Sequence, residues 1–464
     1  MLQGFGTGEV AVIGLGRSGR AAAELLRFHG HAVYASDGGT PDAVRQAASR
    51  LMEVGCAVET GGHDLERIAR AAAVVASPGV PPEAPPLAAA RAAGVPIVSE
   101  IETALRALPD LRYVATTGTN GKTTVTALVG HLLRALKHDA PEAGNIGLPL
   151  AEVALWPVAP AWASLEVSSF QLHDTPGIAP ACGVVTTLSP DHLDRYPTIE
   201  AYYADKANLF ANATPESRWV LNGDVPEVLA LHRLLPAGHP AREALPGFVH
   251  RFSLHDPTAD AWYDRAAGQL MLFGAPLLPR GALPLVGDHN VANALAAALA
   301  VSVADFNHRA PEARRAIADA LAMFRALPHR LEVVAMRDGV TWINDSKSTN
   351  VGSTLVAVQG MDRPTVVLLG GRHKGEPYTP LLPALRTAAR AVLAYGEAAP
   401  LIERDLAGHV PFERLGSSFD EVVARARALA QPGDAILLSP ACSSYDMFAN
   451  YQDRGDTFRR LATA

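Results

Sequence analysis

The residues with the plainest chemistry are Gly118, Thr119, Asn120, Gly121, Lys122, Thr123 and Thr124, which run consecutively. A polyphosphate needs backbone N–H groups aimed at its oxygens, a cation at its outer end and a hydroxyl able to sit on Mg²⁺. This run offers all three: Lys122 is placed to reach the outer phosphates and Thr123 to meet the ion. Before it, Tyr113–Thr117 reads as a short buried strand, and after it Val125–Val129 reads as helix. A strand, a tight glycine loop and a helix follow in order, and the helix dipole adds to the attraction for anions. The spacing is not the usual one, since position 116 is Thr and the first glycine is Gly118. A glycine-rich surface turn with an exposed lysine would not need that order. The stretch predicts a nucleoside triphosphate site.

Other reactive side chains cluster further on. Trp162–Glu166 reads as a strand ending in a carboxylate, which is either where a Mg²⁺ ligand is wanted beside a phosphate loop or an ordinary salt-bridged strand end. Gly144-Asn145-Ile146-Gly147 is a second tight loop expected to line the same site. The strand Gly183–Leu188 leads to Asp191-His192-Leu193-Asp194-Arg195-Tyr196. His192 reads either as a metal ligand or positioner of a charged intermediate, or as a structural histidine. Lys206, on a helix over about 199–210, reads by itself as a solvated lysine.

Elements must hold these groups in place. Val10–Ile13 reads as a buried parallel strand that enters Gly14-Leu15-Gly16-Arg17-Ser18-Gly19. A helix is expected from about Arg20 to His29, then a strand Ala32–Ala35 ending at Ser36-Asp37. This βαβ unit, with an acidic residue about 20 positions on, suits a bound nucleotide with its diphosphate at the glycine turn. Glycines kept only for close packing are the other reading. Strand Ala73–Ala76 delivers Ser77-Pro78-Gly79 to the same sheet edge, and a strand Val95–Val98 closes the segment near Glu100. In the last third, strands at 341–344, 366–369, 391–395 and 435–438 alternate with helical patterns and predict a second doubly wound sheet. Its polar loops carry Lys374, Thr349 and Ser444, one cation and two hydroxyl donors suited to a carboxylate. Asn290 and Asn293 share a helix face. They suit an adenine edge, or alternatively Asn290 or Asp288 caps that helix.

Composition narrows the class. The 464 residues exceed one ordinary domain, and the net charge of −7 comes with no basic stripe, against a nucleic-acid partner. Cys56, Cys182 and Cys442 are scattered without metal-site spacing, which fits a reducing cytoplasm. Met1–Phe5 shows neither a charged nor an apolar leader region, and no run is long enough for a membrane span.

In combination and order, the Thr117–Thr124 loop, the Gly144–Gly147 loop, Glu166-Val167-Ser168-Ser169-Phe170-Gln171-Leu172 and Asp191–Tyr196 make the chain resemble the ATP-dependent muramyl ligases of peptidoglycan synthesis, end to end. Within that family it is most similar to the branch that adds D-glutamate to UDP-N-acetylmuramoyl-L-alanine. The resemblance implies an α/β chain of three domains. Residues 1–100 would be a Rossmann-like domain for the UDP substrate, 101–326 a P-loop domain for ATP, and 327–464 a Rossmann-like domain for D-glutamate. It implies ATP contacts from Gly118–Thr124, Asn290, Asn293, Arg330 and Asp345. UDP-substrate contacts would come from Gly14, Leu15, Gly16, Arg17, Ser18, Asp37, Ser77, Gly79 and Asn145. D-Glutamate would meet His192, Lys347, Thr349, Lys374, Ser444 and Tyr451, the last standing where phenylalanine is expected.

Two Mg²⁺ ions are implied by the same resemblance, one on Thr123 and Glu166 and one on His192 and Lys206. In the family the matching lysine is carbamylated, which replaces an ammonium by an oxygen ligand suited to Mg²⁺. Lys122, His192 and Lys206 would then carry the catalysis, in a cytoplasmic monomer serving cell-wall building, cell shape and division. A sister ligase or a folylpolyglutamate synthetase would share the ATP core, but the Gly14–Gly19 turn and the Asn344–Lys347 loop favour the D-glutamate branch. A nicotinamide oxidoreductase leaves the phosphate loop and Glu166 unexplained. A non-catalytic nucleotide module has no use for Glu166, His192, Lys206 and Lys374 together.

Overall fold

The computed structural model describes residues 1–192 and 195–464, so Leu193 and Asp194 of the His192 motif lie outside the described residues. Three sheets carry the described fold. The first consists of β1 (Val10–Ile13), β2 (Val33–Asp37), β3 (Ala57–Thr60), β4 (Ala73–Ala76) and β5 (Ile97–Ser99), in the order β3-β2-β1-β4-β5. All four pairings are parallel. β1 and β4 are buried along their whole length, as apolar runs covered on both faces require. The strand order reverses between β1 and β4, so the loops after these two strands meet at the sheet's switch point.

Two boundaries differ from the sequence expectation for physical reasons. The first helix spans Arg17–Phe28 and not 20–29, because extended Gly16 serves as its N-cap. Gly19 falls inside its first turn, where a Cβ would stand 1.8 Å from the Gly14 carbonyl. β5 starts at Ile97 and not at Val95, because Pro96 has no N–H to donate to the ladder. Ser99 ends the strand and caps the next helix, Glu100–Ala107, by accepting from the Glu102 N–H.

The second sheet contains β6 (Arg112–Thr117), β7 (Glu142–Gly144), β8 (Trp162–Glu166), β9 (Cys182–Val185), β10 (Arg218–Asn222), β11 (Phe248–Ser253), β12 (Ala261–Asp264), β13 (Gln269–Leu272) and β14 (Ala275–Pro279). Its order is β14-β13-β12-β11-β10-β9-β6-β8-β7, with β6 between β9 and β8 at a second switch point. The stretch 225–283, unreadable as sequence, adds the antiparallel ribbon β12-β13-β14 to the parallel core. The third sheet contains β15 (Glu332–Arg337), β16 (Val340–Asn344), β17 (Thr365–Gly370), β18 (Ala389–Tyr395), β19 (Phe412–Arg414) and β20 (Ala435–Leu438). Its order is β15-β16-β20-β17-β18-β19, parallel except for β15 against β16.

Residues 1–280 with 292–321 form one compact unit, and 281–291 with 322–464 form a second. Among the described residues no helix is long and apolar enough to cross a membrane. All three cysteines are free and buried.

Where the first two sheets meet inside the first unit, Glu100 is buried. One of its oxygens accepts the Ala151 N–H and the other has no partner. Burial pushes its carboxyl up from 4.5 to about 7. A raised carboxyl pKa means the folded chain binds the proton more tightly than the unfolded chain. The resulting stability is whole below pH 4.5 and is lost as pH rises to about 7. The expected loss is roughly 3 kcal/mol across that window. Glu100→Gln, whose amide oxygen can still accept from Ala151, should flatten the dependence and stabilise the chain at pH 8, as read by urea unfolding between pH 5 and 8.

Candidate active site

The Gly118–Thr124 loop leaves the end of β6 and enters the helix Lys122–Ala135. Two glycines make the turn. Gly118 has φ +139°, and a Cβ there would lie 2.1 Å from the Thr186 hydroxyl. Gly121 is left-handed at φ +87°, with its missing Cβ 2.6 Å from Asn293 Oδ1. The segment after β9 braces the loop. Thr119 N–H donates to the Thr187 carbonyl at 2.7 Å, Asn120 N–H to the Thr187 hydroxyl at 3.0 Å, and Thr186 donates to the Asn120 carbonyl. Sequence reasoning read Thr186 and Thr187 only as strand. Two adjacent hydroxyls at a strand end were the available signal.

Two lysines converge on one loop oxygen. Lys122 Nζ donates to the Gly118 carbonyl at 3.0 Å and to the Thr119 carbonyl at 2.8 Å. Lys206 Nζ donates to the same Gly118 carbonyl at 2.8 Å. Lys206 is therefore no solvated lysine: it is 1% exposed and lies 4.5 Å above the Tyr202 ring. Burial, then the nearby Lys122 charge, hold its pKa well below the ordinary lysine value. Its helix, Ile199–Ala207, is capped by Thr198 and tied down through Asp205, which accepts from the Tyr196 hydroxyl at 2.8 Å and pairs with His173.

Glu166 ends β8 opposite Thr116 of β6, beside the loop. It is 2% exposed; Oε1 accepts from Asn145 at 2.7 Å, while Oε2 is buried without a hydrogen-bond partner. An orphaned carboxylate oxygen at that place suits a hard cation. Among the described residues no three His, Cys, Asp or Glu side chains gather as a metal cluster. A Mg²⁺ ion held through one carboxylate, a hydroxyl and phosphate oxygens needs none. His192 is exposed, in a left-handed backbone at φ +55°, with its ring edge-on to Phe170 at 5.3 Å.

A cleft of about 590 Å³ lies at the first sheet's switch point, and Gly14, Gly16, Ser18, Asp37, Ser77, Gly79 and Asn145 line it. Leu15 does not join them; it is 2% exposed in the core below. Arg17 is likewise absent from the lining. The three glycines serve different ends. Gly14 has positive φ and Gly19 is a packing glycine, whereas a Cβ on Gly16 would meet nothing within 4 Å, leaving the backbone open to a ligand. Asp37 uses both oxygens on the loop, accepting from Leu15 N–H at 2.7 Å and Gly39 N–H at 2.8 Å. His63 and Gln171 also line the cleft and were missed. Gln171 sits in a capping box with Ser168, whose Ser-x-x-Gln spacing was legible, and its Nε2 is buried without a partner.

In the second unit, Lys347 Nζ approaches the Tyr451 hydroxyl at 3.3 Å, and Lys374 Nζ donates to Thr349 at 3.2 Å. Arg372 and Ser443 form an antiparallel bridge that joins the Lys374 loop to the Ser444 loop. Asp345 is buried, and its oxygens accept from Leu331 N–H at 3.2 Å and the Ser439 hydroxyl at 2.8 Å. Burial raises its carboxyl to about 6 against these bonds and the nearby Arg330 charge. Asn290 is the third residue of the helix Asp288–Ala304, so it is not the helix cap. Its amide donates to the Val286 carbonyl at 2.8 Å.

Fold and loop together define a multidomain α/β protein of the P-loop nucleotide-binding class. Residues 8–99 match the MurD-like N-terminal domain of Mur ligases, 116–301 the Mur ligase middle domain and 329–442 the Mur ligase glutamate ligase domain. The chain belongs to the Mur ligase family. A Salinibacter ruber protein named UDP-N-acetylmuramoylalanine–D-glutamate ligase is 40% identical over 460 residues, covering 97% of this chain and 96% of the relative. A protein of the same name from Anaeromyxobacter dehalogenans is 42% identical, covering 98% and 97%. Among solved structures, the UDP-N-acetylmuramate-alanine ligase MurC of Thermotoga maritima shares the fold with a TM-score of 0.58 at 18% identity, over 98% of each chain. MurF of Acinetobacter baumannii does so at 0.60 and 14%, over 94% of this chain and 92% of its own.

Gly118→Ala puts a methyl group into the Thr186 hydroxyl and should displace the loop. Titration with a fluorescent ATP analogue should show affinity lowered by about tenfold or more, with the melting temperature falling by only a few degrees.

Proposed function

We propose that this chain is an ATP-dependent ligase that joins D-glutamate to UDP-N-acetylmuramoyl-L-alanine in peptidoglycan precursor synthesis. It acts as a cytoplasmic monomer, with residues 1–100 serving the UDP substrate, 101–326 ATP and 327–464 D-glutamate. The observation that carries the reading is the convergence of Lys122 and Lys206 on the Gly118 carbonyl, in a chain about 40% identical over its length to D-glutamate ligases. A cation at the turn of a phosphate loop suits a reaction whose charge develops on transferring phosphate, and the second, buried lysine beside it is placed to serve a metal ion there.

The chemistry is set by leaving groups. A carboxylate cannot expel oxide, so the L-alanyl carboxylate oxygen takes the γ-phosphoryl group of ATP and ADP leaves. The D-glutamate amine then attacks the acyl carbon, and the tetrahedral intermediate expels phosphate as the amide forms. Lys122 neutralises the phosphoryl group in transit, and the loop's N–H groups at the start of the helix Lys122–Ala135 hold the rest of the polyphosphate. Asn290, Asn293, Arg330 and Asp345 serve the nucleoside. The lining of the first cleft, Gly14, Gly16, Ser18, Asp37, Ser77, Gly79 and Asn145, serves the UDP moiety. Lys347, Thr349, Lys374, Ser444 and Tyr451 receive the carboxylates of D-glutamate, with His192 near the reacting centre.

Two Mg²⁺ ions, when bound, supply neutralisation of the phosphate charge. Thr123 and Glu166 would hold one, and the orphaned Glu166 oxygen supports that assignment. His192 and a carbamylated Lys206 would hold the other. Only a neutral amine adds to CO₂, and the burial that lowers the Lys206 pKa favours the neutral form. The amine attacks the carbon of CO₂ and loses a proton, leaving the carbamate.

Phosphate release from ATP and Mg²⁺ with UDP-N-acetylmuramoyl-L-alanine is expected with D-glutamate and not with L-glutamate, L-alanine or L-lysine. Turnover with a different amino acid would move the specificity and refute the D-glutamate assignment. For the modified lysine, Lys206→Ala should lose activity by about a hundredfold or more and recover part of it with added short carboxylates, as a replaced metal ligand should. Full activity in Lys206→Ala without additive would remove the carbamate from the mechanism.

A further inference from the structure

One buried cation has no part in the chemistry above. Arg454 belongs to the helix Tyr451–Thr463, and its side chain is wholly buried. Nε donates to the Ser346 hydroxyl at 2.9 Å. Nη2 donates to the Ser346 carbonyl at 2.9 Å and the Cys442 carbonyl at 3.2 Å. Nη1 faces the carbonyls of Gly370 at 3.3 Å, Cys442 at 3.2 Å and Ser443 at 3.4 Å. No ion pair to a carboxylate is formed by Arg454 among the described residues, so four carbonyl oxygens and one hydroxyl replace its water. A buried charge is costly, and apolar side chains would fill the same space more cheaply. Its partners explain why it is there.

Those oxygens lie at three places: the loop after β16, the last residue of β17 and the loop after β20. Each place leads into part of the amino-acid site. Lys347 follows Ser346, Lys374 lies four residues after Gly370, and Ser444 follows Ser443. The fourth member, Tyr451, opens Arg454's own helix, and its carbonyl accepts from the Ser346 hydroxyl at 2.8 Å. One planar guanidinium thus holds the backbone next to Lys347 and Ser444 and at the strand end from which the Lys374 loop departs. A lysine could not match the arrangement, because an ammonium lacks the rigid five-donor fork.

We propose that Arg454 is the positioning residue of the amino-acid site: it touches no substrate and sets the mutual spacing of the loops that do. The proposal rests on the reading of those loops as the D-glutamate site. Its consequence is selective. Loosening the loops should weaken amino-acid binding and leave the UDP-substrate cleft, which lies on the first unit, nearly unchanged.

The test uses the full chain carrying Arg454→Lys, Arg454→Ala or Ser346→Ala, with melting temperatures and the Michaelis constants of all three substrates. Arg454→Lys should raise KM for D-glutamate about tenfold or more, with KM for the UDP substrate within about twofold of wild type and KM for ATP rising less than that for D-glutamate. Millimolar guanidinium should recover part of the loss in Arg454→Ala, which general destabilisation would not allow. Ser346→Ala keeps the guanidinium but removes one acceptor and the tie to Tyr451, and should raise KM for D-glutamate about threefold. An unchanged D-glutamate KM, or equal rises in all three constants, overturns the proposal. Should the Arg454 variants not fold, an unchanged D-glutamate KM in folded Ser346→Ala overturns it alone. If the wild-type enzyme accepts another amino acid instead, the substrate reading fails, and the same selective rise in that amino acid's KM still upholds the positioning role. Absence of turnover with every amino acid overturns both.

Discussion

The carbonyl oxygen of Gly118 is the point on which the rest of the first unit turns. It accepts from Lys122, which comes from the loop's own helix, and from Lys206, which comes from a helix eighty-odd residues later. Both amines reach it only because the backbone at Gly118 adopts a conformation closed to a side chain, with the Thr186 hydroxyl where a Cβ would be. The strand order serves this geometry. β6 lies between β9 and β8, so the loop emerges with the Thr186-Thr187 brace on one side and Glu166 on the other. Helix Ile199–Ala207 must then bring Lys206 inward, and the anchoring of Asp205 by His173 and Tyr196 holds it there.

How much of this could be read in advance depended on whether the signal was local. Val10–Ile13 and Ala73–Ala76 were legible to the residue because a buried parallel strand is written as an unbroken apolar run. The phosphate loop was legible because glycine, lysine and threonine fall at fixed offsets between a strand and a helix. Lys206 was not legible from residues: a lysine on a weakly patterned helix gives no hint of its burial, which depends on Tyr202 and a carbonyl 88 positions away. Only the family resemblance singled it out. The ribbon β12-β13-β14 was missed because its strands are short and its alternation of apolar and polar residues is broken by prolines at 276 and 279.

Site residues show the same limit. The glycine-turn pattern places Gly14, Gly16, Asp37 and Ser77 around one cleft, since the pattern encodes a backbone path. It says nothing of which side chains face that cleft. Leu15 turns into the core, while His63, joined to Ser36 through a hydrogen bond at 2.9 Å, lines the cleft from outside the motif. Asp37 falls at the expected place, yet both its oxygens hold the turn that presents the site.

Lys206 and Arg454 are both buried basic side chains that donate to peptide carbonyls, and the type of side chain decides how each responds. Lysine can shed its proton when water is withdrawn, so burial pulls Lys206 toward the neutral amine, a form open to chemical modification. Arginine offers no such route, since a guanidinium is not deprotonated in proteins. Arg454 must therefore be satisfied by oxygens, and those oxygens, contributed by three segments, are drawn together around it. The same physical cost of burying charge is thus used in opposite ways. At Lys206 it alters the group itself; at Arg454 it organises the surroundings. Carbonyl oxygens suit the Arg454 task because, unlike carboxylates, they carry no full negative charge to offset the guanidinium's field.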